Sequence, residues 1–153
     1  MKKFIIVFFC FSLLPYKSVF AEYTAIDGDS IEYFGERIRL QGIDAPELYQ
    51  KCWNSSGEEY FCGLEALHFL QDKIKNKKIS CECEQKNDKY GRKLCECFAA
   101  SENLNAKMVE NGYAVSYKTE KYLSAEKSAS SAKKGIWQGK FMRPAIYRAL
   151  NRH

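Results

Sequence analysis

The chain has 153 residues, 46% of them hydrophobic and 28% charged, with a formal net charge of +5 and two histidines. This length suffices for one domain with a substantial core. The histidines are His68, on a predicted helix, and His153, at the last position. The composition therefore argues against hydrolases that depend on a Ser–His–Asp or Cys–His arrangement.

The first 21 residues, MKKFIIVFFCFSLLPYKSVFA, have a basic start, an apolar middle and a V-F-A ending. This pattern predicts a secretory signal peptide cleaved after Ala21. The apolar run is short for a membrane span and Pro15 interrupts it, although an uncleaved anchor is the alternative. Cleavage removes three lysines and lowers the net charge from +5 to +2, which is too little to indicate nucleic-acid binding by itself. We therefore expect a periplasmic or secreted protein without a membrane anchor.

After the signal peptide, alternating hydrophobic residues predict short strands, and apolar residues at helical spacing predict helices. Pro46 excludes an interior strand after the first three strands, so that part is predicted as a loop. The predicted elements, in chain order, are strands at 23–31, 31–34 and 37–43, a loop at 44–63, a helix at 64–74, strands at 79–83 and 93–98, a helix at 104–112, an extended segment at 113–118 and a helix at 122–135.

Five short strands with a helix between the third and fourth match the connectivity of an OB barrel. We therefore predict an α+β fold, a five-stranded OB-fold barrel with three helices, over residues 22–137. Residues 138–153 show no clear period and are predicted to form a basic C-terminal tail, because the chain has no acidic residue from Lys133 onward. This tail is either a solvated segment or a phosphate-binding one.

Six cysteines follow the signal peptide, and an even number in an exported chain favours disulfides. If the two C-E-C segments form antiparallel strands, one register satisfies two pairs at once, because residues two apart share a face. Zinc binding by four of the cysteines and thiol–disulfide exchange at the C-x-C pairs are the alternatives. The predicted disulfides are Cys81–Cys97, Cys83–Cys95 and Cys52–Cys62.

The segment DGDSIEYFGERIRLQGIDAPE, residues 27–47, concentrates carboxylates at the ends of predicted strands and places arginines in the middle of one. Carboxylate oxygens are ligands that Ca²⁺ prefers, and the planar guanidinium of arginine matches the oxygens of a phosphate. The segment therefore indicates a site that binds a cation and an anion together. Its charged residues of interest are Asp27, Asp29, Arg37, Arg39, Asp44 and Glu47.

Five short motifs, AIDGDSI, IRLQGIDAPE, DKYGRKL, VENGYA and GIW, occur in this order between residues 25 and 137. In this order and spacing they resemble the staphylococcal nucleases, a family of calcium-dependent secreted phosphodiesterases with an OB-like barrel. The resemblance implies an enzyme that hydrolyses DNA and RNA and leaves 3′-phosphate ends. We expect a monomer with no stable protein partner.

The resemblance also implies which residues bind the metal ion and the attacking water. Asp29 and Asp44 match the carboxylates that hold Ca²⁺, and Glu47 matches the acidic residue that orients or activates the water. Ala45 replaces a threonine of the staphylococcal protein. The family's ligand at this position is a backbone carbonyl, which alanine also has, so Ala45 is expected to be a metal ligand.

Five further residues match positions that contact the substrate in the family. Arg39 and Arg92 match the two arginines that bind the phosphate, where they can stabilise the charge that grows during water attack. Lys89 and Tyr90 lie where the family holds a terminal phosphate. Tyr117 lies near the position of a tyrosine that contacts the nucleotide.

Other classes of protein remain as alternatives. The same barrel could be a catalytically weak module that binds nucleic acid or a protein, although the presence of all the acids and arginines argues against it. Individual residues also have structural alternatives: Asp27 could cap the Asp-Gly turn, and Arg37 could be an ordinary cross-strand partner of Glu32 or Glu36.

Overall fold

The computed structural model of the protein describes residues 23–151, so the predicted signal peptide at 1–21 lies outside the described residues. No helix in this range is long and apolar enough to cross a membrane. The strands are β1 (Thr24–Asp27), β2 (Ser30–Tyr33), β3 (Glu36–Leu40), β4 (Ile43–Asp44), β5 (Lys51–Trp53), β6 (Glu59–Phe61), β7 (Ile79–Cys83), β8 (Lys93–Ala99), β9 (Glu102–Asn103) and β10 (Val115–Ser116). The helices are α1 (Cys62–Ile74), α2 (Leu104–Glu110), α3 (Leu123–Ser131) and α4 (Pro144–Leu150), with a 3-10 helix at Gly135–Gln138.

Five strands form the main sheet in the order β1-β2-β3-β8-β7, and β9 extends it beside β8. The pairing of β3 with β8 is parallel, whereas the other pairs are antiparallel, so the sheet is mixed. In chain order α1 separates the third of these five strands from the fourth, as in the predicted barrel. The predicted α+β barrel fold is confirmed as a half-barrel, with four helices instead of three.

The core lies between the sheet and the helices α1 and α2. Ile31 of β2 and Leu40 of β3 are fully buried and belong to one cluster with Leu70 of α1 and Met108 of α2. The buried residues of α1 recur at helical spacing, which explains why the sequence pattern predicted this helix.

All three predicted disulfides are present in the structure. Cys81 lies opposite Cys97 and Cys83 opposite Cys95 in the antiparallel pair β7–β8, which is the register inferred from the sequence. The third bond joins Cys52 in β5 to Cys62 at the start of α1. Every cysteine in residues 23–151 is therefore in a disulfide, which leaves none in this range as a thiolate for zinc.

The segment 44–63, predicted as a loop, contains the hairpin β5–β6. Its turn is stabilised by Asn54, whose Oδ1 accepts hydrogen bonds from the backbone N–H groups of Ser56 and Glu58, each 2.9 Å long. Three residues per strand are too few for a clear alternation, which is why the pattern was missed. The extended segment predicted at 113–118 is reduced to the two residues of β10.

The C-terminal segment, predicted to lack periodic structure, contains the helix α4. Pro144 occupies the first turn, a position that proline favours at helix starts. Pro144 is also the one buried residue of this seven-residue helix, so α4 has no apolar face that a sequence pattern could have revealed.

The two disulfides between β7 and β8 are nested, which predicts a non-additive contribution to stability. Either bond alone closes nearly the same loop of the unfolded chain, since the two sequence separations are 16 and 12. Replacing both pairs by alanine should therefore lower the free energy of unfolding by about 2 to 3 kcal/mol more than the sum of the two separate replacements. Urea unfolding of the natural protein, the two variants that each lack one bond and the variant that lacks both measures this difference. Additive losses of stability would contradict the prediction.

Candidate active site

A cleft with a volume of about 1390 Å³ brings together parts of the chain that are far apart in sequence. It is bordered by the β1–β2 turn, β3, the segment before β8, the residues after β10, and α4. Asp44 and Ala45 are buried, and they contact Arg39 and Asp29, which line the cleft. Seven of the predicted site residues line the cleft: Asp29, Arg39, Glu47, Lys89, Tyr90, Arg92 and Tyr117.

Arg39 joins the two predicted metal-binding carboxylates. It lies opposite Ser30 in the β2–β3 pair, which places its guanidinium beside the preceding residue, Asp29. One nitrogen binds Asp29 Oδ1, and the other donates to Asp44 Oδ1 at 3.0 Å and to the carbonyl of Ile43 at 3.1 Å. Burial disfavours the charge of Arg39, but the two carboxylates outweigh this effect and raise the pKa of the guanidinium above its usual value.

Asp29 is held in place from two further sides. Its Oδ2 accepts a hydrogen bond of 2.9 Å from the backbone N–H of Ala45. Its own N–H donates to Oδ1 of Asp27 at 2.9 Å, so Asp27 stabilises the turn between β1 and β2 as expected. Burial and the charge of Asp29 raise the pKa of Asp27 to about 6. Asp27 is therefore easier to protonate than a free aspartate.

A glycine permits the close packing behind this turn. A Cβ atom on Gly28 would lie 2.6 Å from the Cβ atoms of both Ala45 and Ala66. These two side chains belong to the segment after β4 and to α1, so Gly28 allows both to approach the β1–β2 turn. The position of Asp29 in the cleft depends on that approach.

Glu47 lies in a tight turn next to the start of α1. Its backbone carbonyl accepts from the N–H of Gln50 at 2.7 Å, and its N–H donates to Oε1 of the fully buried Gln50 side chain at 3.2 Å. Gly63 packs directly against the carbonyl of Glu47, where any side chain would collide with it. The carboxylate of Glu47 points into the cleft and is 43% exposed, so water can reach it.

Arg92 is positioned by a turn that Asp88 organises. Oδ1 of Asp88 accepts from the backbone N–H groups of Tyr90 and Arg92, at 2.9 and 3.0 Å, and Oδ2 accepts from Nε of Arg92 at 2.9 Å. Burial acts to raise the pKa of Asp88, but these hydrogen bonds together outweigh burial and hold the pKa below its usual value. One nitrogen of Arg92 also lies 3.5 Å from Oγ of Ser30, next to Asp29.

Aromatic and basic side chains form the outer part of the cleft. Tyr90 is 69% exposed, and the Nζ atom of Lys89 lies 4.9 Å from the centre of its ring. Tyr117 is anchored by its N–H, which donates to the carbonyl of Gly42 at 2.9 Å, and Lys118 lies over its ring at 5.1 Å. Arg37, in contrast, pairs across the strands with Glu32 at 3.9 Å, as the structural alternative predicted.

Sequence reasoning missed Arg148 as an individual site residue. Its guanidinium contacts both oxygens of Asp44, at 2.9 and 3.0 Å, and Oε1 of Glu47 at 2.8 Å. These contacts raise the pKa of Arg148 above its usual value despite partial burial. The available signals were the lack of acids after Lys133 and the helix-starting Pro144, which indicate a basic helix but not where it lies.

The cleft of this half-barrel brings buried carboxylates beside two arginines, which are the side chains that proteins use for cations and for phosphate groups. The family described as staphylococcal nuclease homologue matches residues 37–139, which is more than half of the chain. The chain therefore belongs to the staphylococcal nuclease family, as its motifs predicted.

Several curated proteins share this part of the sequence. The chain is 37% identical over 125 residues to "Succinoglycan biosynthesis protein ExoI" of Rhizobium meliloti, covering 78% of this chain and 65% of that protein. It is 32% identical over 134 residues to "Endonuclease YhcR" of Bacillus subtilis, covering 73% of this chain and 11% of that protein. An "Uncharacterized endonuclease" of Haemophilus influenzae is 28% identical over 120 residues, at 72% and 61% coverage. The chain thus spans less than two thirds of each of these relatives.

The chemistry of the donor set fits the calcium ion on which the family generally depends. Asp29, Asp44 and Glu47 offer carboxylate oxygens, and Ala45 offers a carbonyl, all of them hard ligands of the kind that Ca²⁺ prefers. In residues 23–151, no three His, Cys, Asp or Glu side chains are arranged around a common metal position. The carboxylates of the cleft are bound by Arg39 and Arg148.

Because Gly63 packs against the Glu47 turn, adding a single methyl group at Gly63 is expected to destabilise the protein strongly. Gly63→Ala should lower the free energy of unfolding by about 3 kcal/mol or more, because the new Cβ would collide with the carbonyl of Glu47. Gly57→Ala is the control: Gly57 has a φ of +80° and no atom near its missing Cβ, so the loss should be about 1 kcal/mol. Equal losses in urea unfolding would show that Gly63 does not constrain the turn.

Proposed function

We propose that the protein is an exported, calcium-dependent nuclease that hydrolyses phosphodiester bonds of DNA and RNA. The observation that carries this proposal is the convergence of two arginines on one acidic turn. Arg39 binds Asp29, and Arg92 reaches the neighbouring Ser30, so both guanidinium groups lie beside the same pair of residues in one cleft. The membership of the nuclease family and the endonuclease names of two relatives support the same conclusion.

The two arginines suit the binding of a phosphodiester group. A phosphodiester gains negative charge as water attacks the phosphorus atom, and a guanidinium can donate two parallel hydrogen bonds to its oxygens. Arg39 is fixed by Asp44 and Asp29, and Arg92 is fixed by Asp88. Because both side chains are held before substrate arrives, little reorganisation is needed when the charge develops.

Glu47 is the residue proposed to orient the attacking water or accept its proton. Its carboxylate lies in the same cleft as the arginines and remains accessible to solvent. The buried Gln50 and the contact with Gly63 fix the backbone from which it projects. A carboxylate held in this way can act as a general base when a water molecule lies within hydrogen-bond reach.

Asp29 and Asp44, with the carbonyl of Ala45, are proposed to hold the calcium ion. Bound there, Ca²⁺ would supply positive charge that stabilises the attacked phosphate. Asp44 has no exposed surface and Asp29 almost none, so these side chains would bind the ion in a largely dehydrated pocket at the base of the cleft.

The outer cleft suits a flexible, single-stranded substrate. Lys89 and Tyr90 on one side, and Tyr117 and Lys118 on the other, combine positive charge with aromatic faces on which bases can stack. Stacking on aromatic rings tolerates any base, so little sequence preference is expected. The resemblance to the family adds the expectation that products carry 3′-phosphate ends.

Export to the periplasm or the medium is proposed on two observations. The N-terminal sequence has the pattern of a signal peptide. The structure contains three disulfides, which form and persist in oxidising compartments.

The first experiment incubates the purified, oxidised protein with single-stranded DNA and with RNA, in Ca²⁺ and in a calcium chelator. We expect fragments with 3′-phosphate ends in Ca²⁺ and no cleavage in the chelator. Cleavage that survives the chelator would contradict the calcium requirement. Binding without cleavage in Ca²⁺ would favour the alternative, a nucleic-acid binding module on the same barrel.

Variants of the cleft test the proposed roles. Glu47→Gln and Arg92→Lys should each lower kcat by about 10²- to 10³-fold, because the first removes the base and the second removes the planar fork that matches phosphate. Glu58→Gln is the matched control, since Glu58 lies in the β5–β6 turn and contacts Asn54. Single-turnover cleavage assays give the comparison, and circular dichroism confirms that each variant is folded. Near-normal rates in both cleft variants would refute the assignment.

A further inference from the structure

The helix α4 places the positive charge of Arg148 against Asp44 and Glu47, the carboxylates proposed to bind the metal ion and the attacking water. Arg148 binds both oxygens of Asp44 and one oxygen of Glu47, with all three separations between 2.8 and 3.0 Å. The family match ends at residue 139, so α4 lies beyond it. The roles proposed for the other cleft residues do not require an arginine beside Asp44 and Glu47.

These contacts use the atoms that a cation would need. Arg39 already takes Oδ1 of Asp44, so Arg148 completes the occupation of that carboxylate by guanidinium nitrogens. A cation bound to Asp44 would compete for the same lone pairs. It would also lie within a few ångströms of a second positive charge in a poorly hydrated pocket, where repulsion is strong.

Few other contacts hold α4 in place. Ile146 and Leu150 are 53% and 69% exposed, and Pro144 is the one buried residue of the helix, so α4 buries little apolar surface. Besides Arg148 and the buried Pro144, its attachment consists of polar contacts near its start. Gln50 donates to the carbonyl of Met142 at 2.7 Å, and Arg143 pairs with Glu126 at 2.6 Å. A helix attached in this way can leave the cleft without disrupting the core.

We propose that Arg148 and a divalent cation compete for Asp44 and Glu47, so that α4 must move away from the cleft before the metal ion binds. The proposal rests on the calcium site of the proposed function. In this proposal α4 controls the metal affinity of the cleft through one residue, Arg148. When α4 lies against the cleft, as in the structure, metal binding is disfavoured. Release of Arg148 also frees the carboxylate of Glu47, so metal binding and the exposure of the proposed base become one event.

Calorimetric titration with Ca²⁺ alone, in the absence of nucleic acid, tests the competition. Arg148→Gln should bind Ca²⁺ about 10-fold more tightly than the natural protein. Arg148→Lys should be intermediate, because it keeps the charge but cannot contact both oxygens of Asp44. Arg37→Gln is the matched control. It removes the same charge from the same cleft, but Arg37 pairs with Glu32 and does not contact the metal-site carboxylates.

Hydrogen exchange gives a second readout, which is independent of affinity. The amide groups of Ile146 and Tyr147 donate to the carbonyl of Arg143, so their exchange reports whether the start of α4 is helical. A seven-residue helix that leaves the cleft is too short to remain helical in water, so undocking exposes these amides to exchange. Saturating Ca²⁺ should accelerate exchange in residues 144–150 of the natural protein. In Arg148→Gln, exchange there should already be fast without Ca²⁺.

The outcomes separate this proposal from the one on which it rests. Equal Ca²⁺ affinity in the natural protein and in Arg148→Gln would overturn the competition while leaving the calcium site intact. So would an equal increase in Arg37→Gln, or continued protection of α4 in saturating Ca²⁺. If no protein of the series binds Ca²⁺, the calcium site itself is wrong and the competition falls with it.

Discussion

Two buried carboxylates, Asp29 and Asp44, require a positive partner, and Arg39 provides it for both. An unpaired charge in such a position would cost several kcal/mol, so the three side chains are mutually dependent. The arrangement ties the start of β2 and the end of β4 to the middle of β3. The same pairing keeps the guanidinium of Arg39 and two carboxylates in fixed positions at the base of the cleft, as the proposed phosphate and metal site requires.

Much of the fold could be predicted because its signals are local. The apolar spacing of α1, the alternation in β3, and the C-E-C segments each lie within a few residues. The cysteines were especially informative, since two pairs had to satisfy one antiparallel register. Most of the site residues could be predicted for the same reason. Asp29, Arg39, Asp44 and Glu47 lie within one short segment, and the motif around Arg92 is compact.

The remaining features depend on contacts that leave no local pattern. Arg148 and Asp44 are 104 positions apart, and a seven-residue helix with exposed Ile146 and Leu150 has no amphipathic signal. The parallel pairing of β3 with β8 likewise joins two strands that α1 and β7 separate along the chain, so the pattern of neither strand reveals it. The roles of these elements depend on contacts that exist only in the folded structure.

The hairpin β5–β6 and the C-terminal segment share backbone hydrogen bonds: Trp53 donates to the carbonyl of Lys140 at 2.8 Å, and Lys140 donates back at 3.1 Å. Gln50, just before β5, holds the carbonyl of Met142. The hairpin therefore serves as the docking platform for the segment that carries α4. Anyone transplanting α4 into a relative would have to move the hairpin as well, because the helix alone would lack the scaffold that directs Arg148 towards the carboxylates.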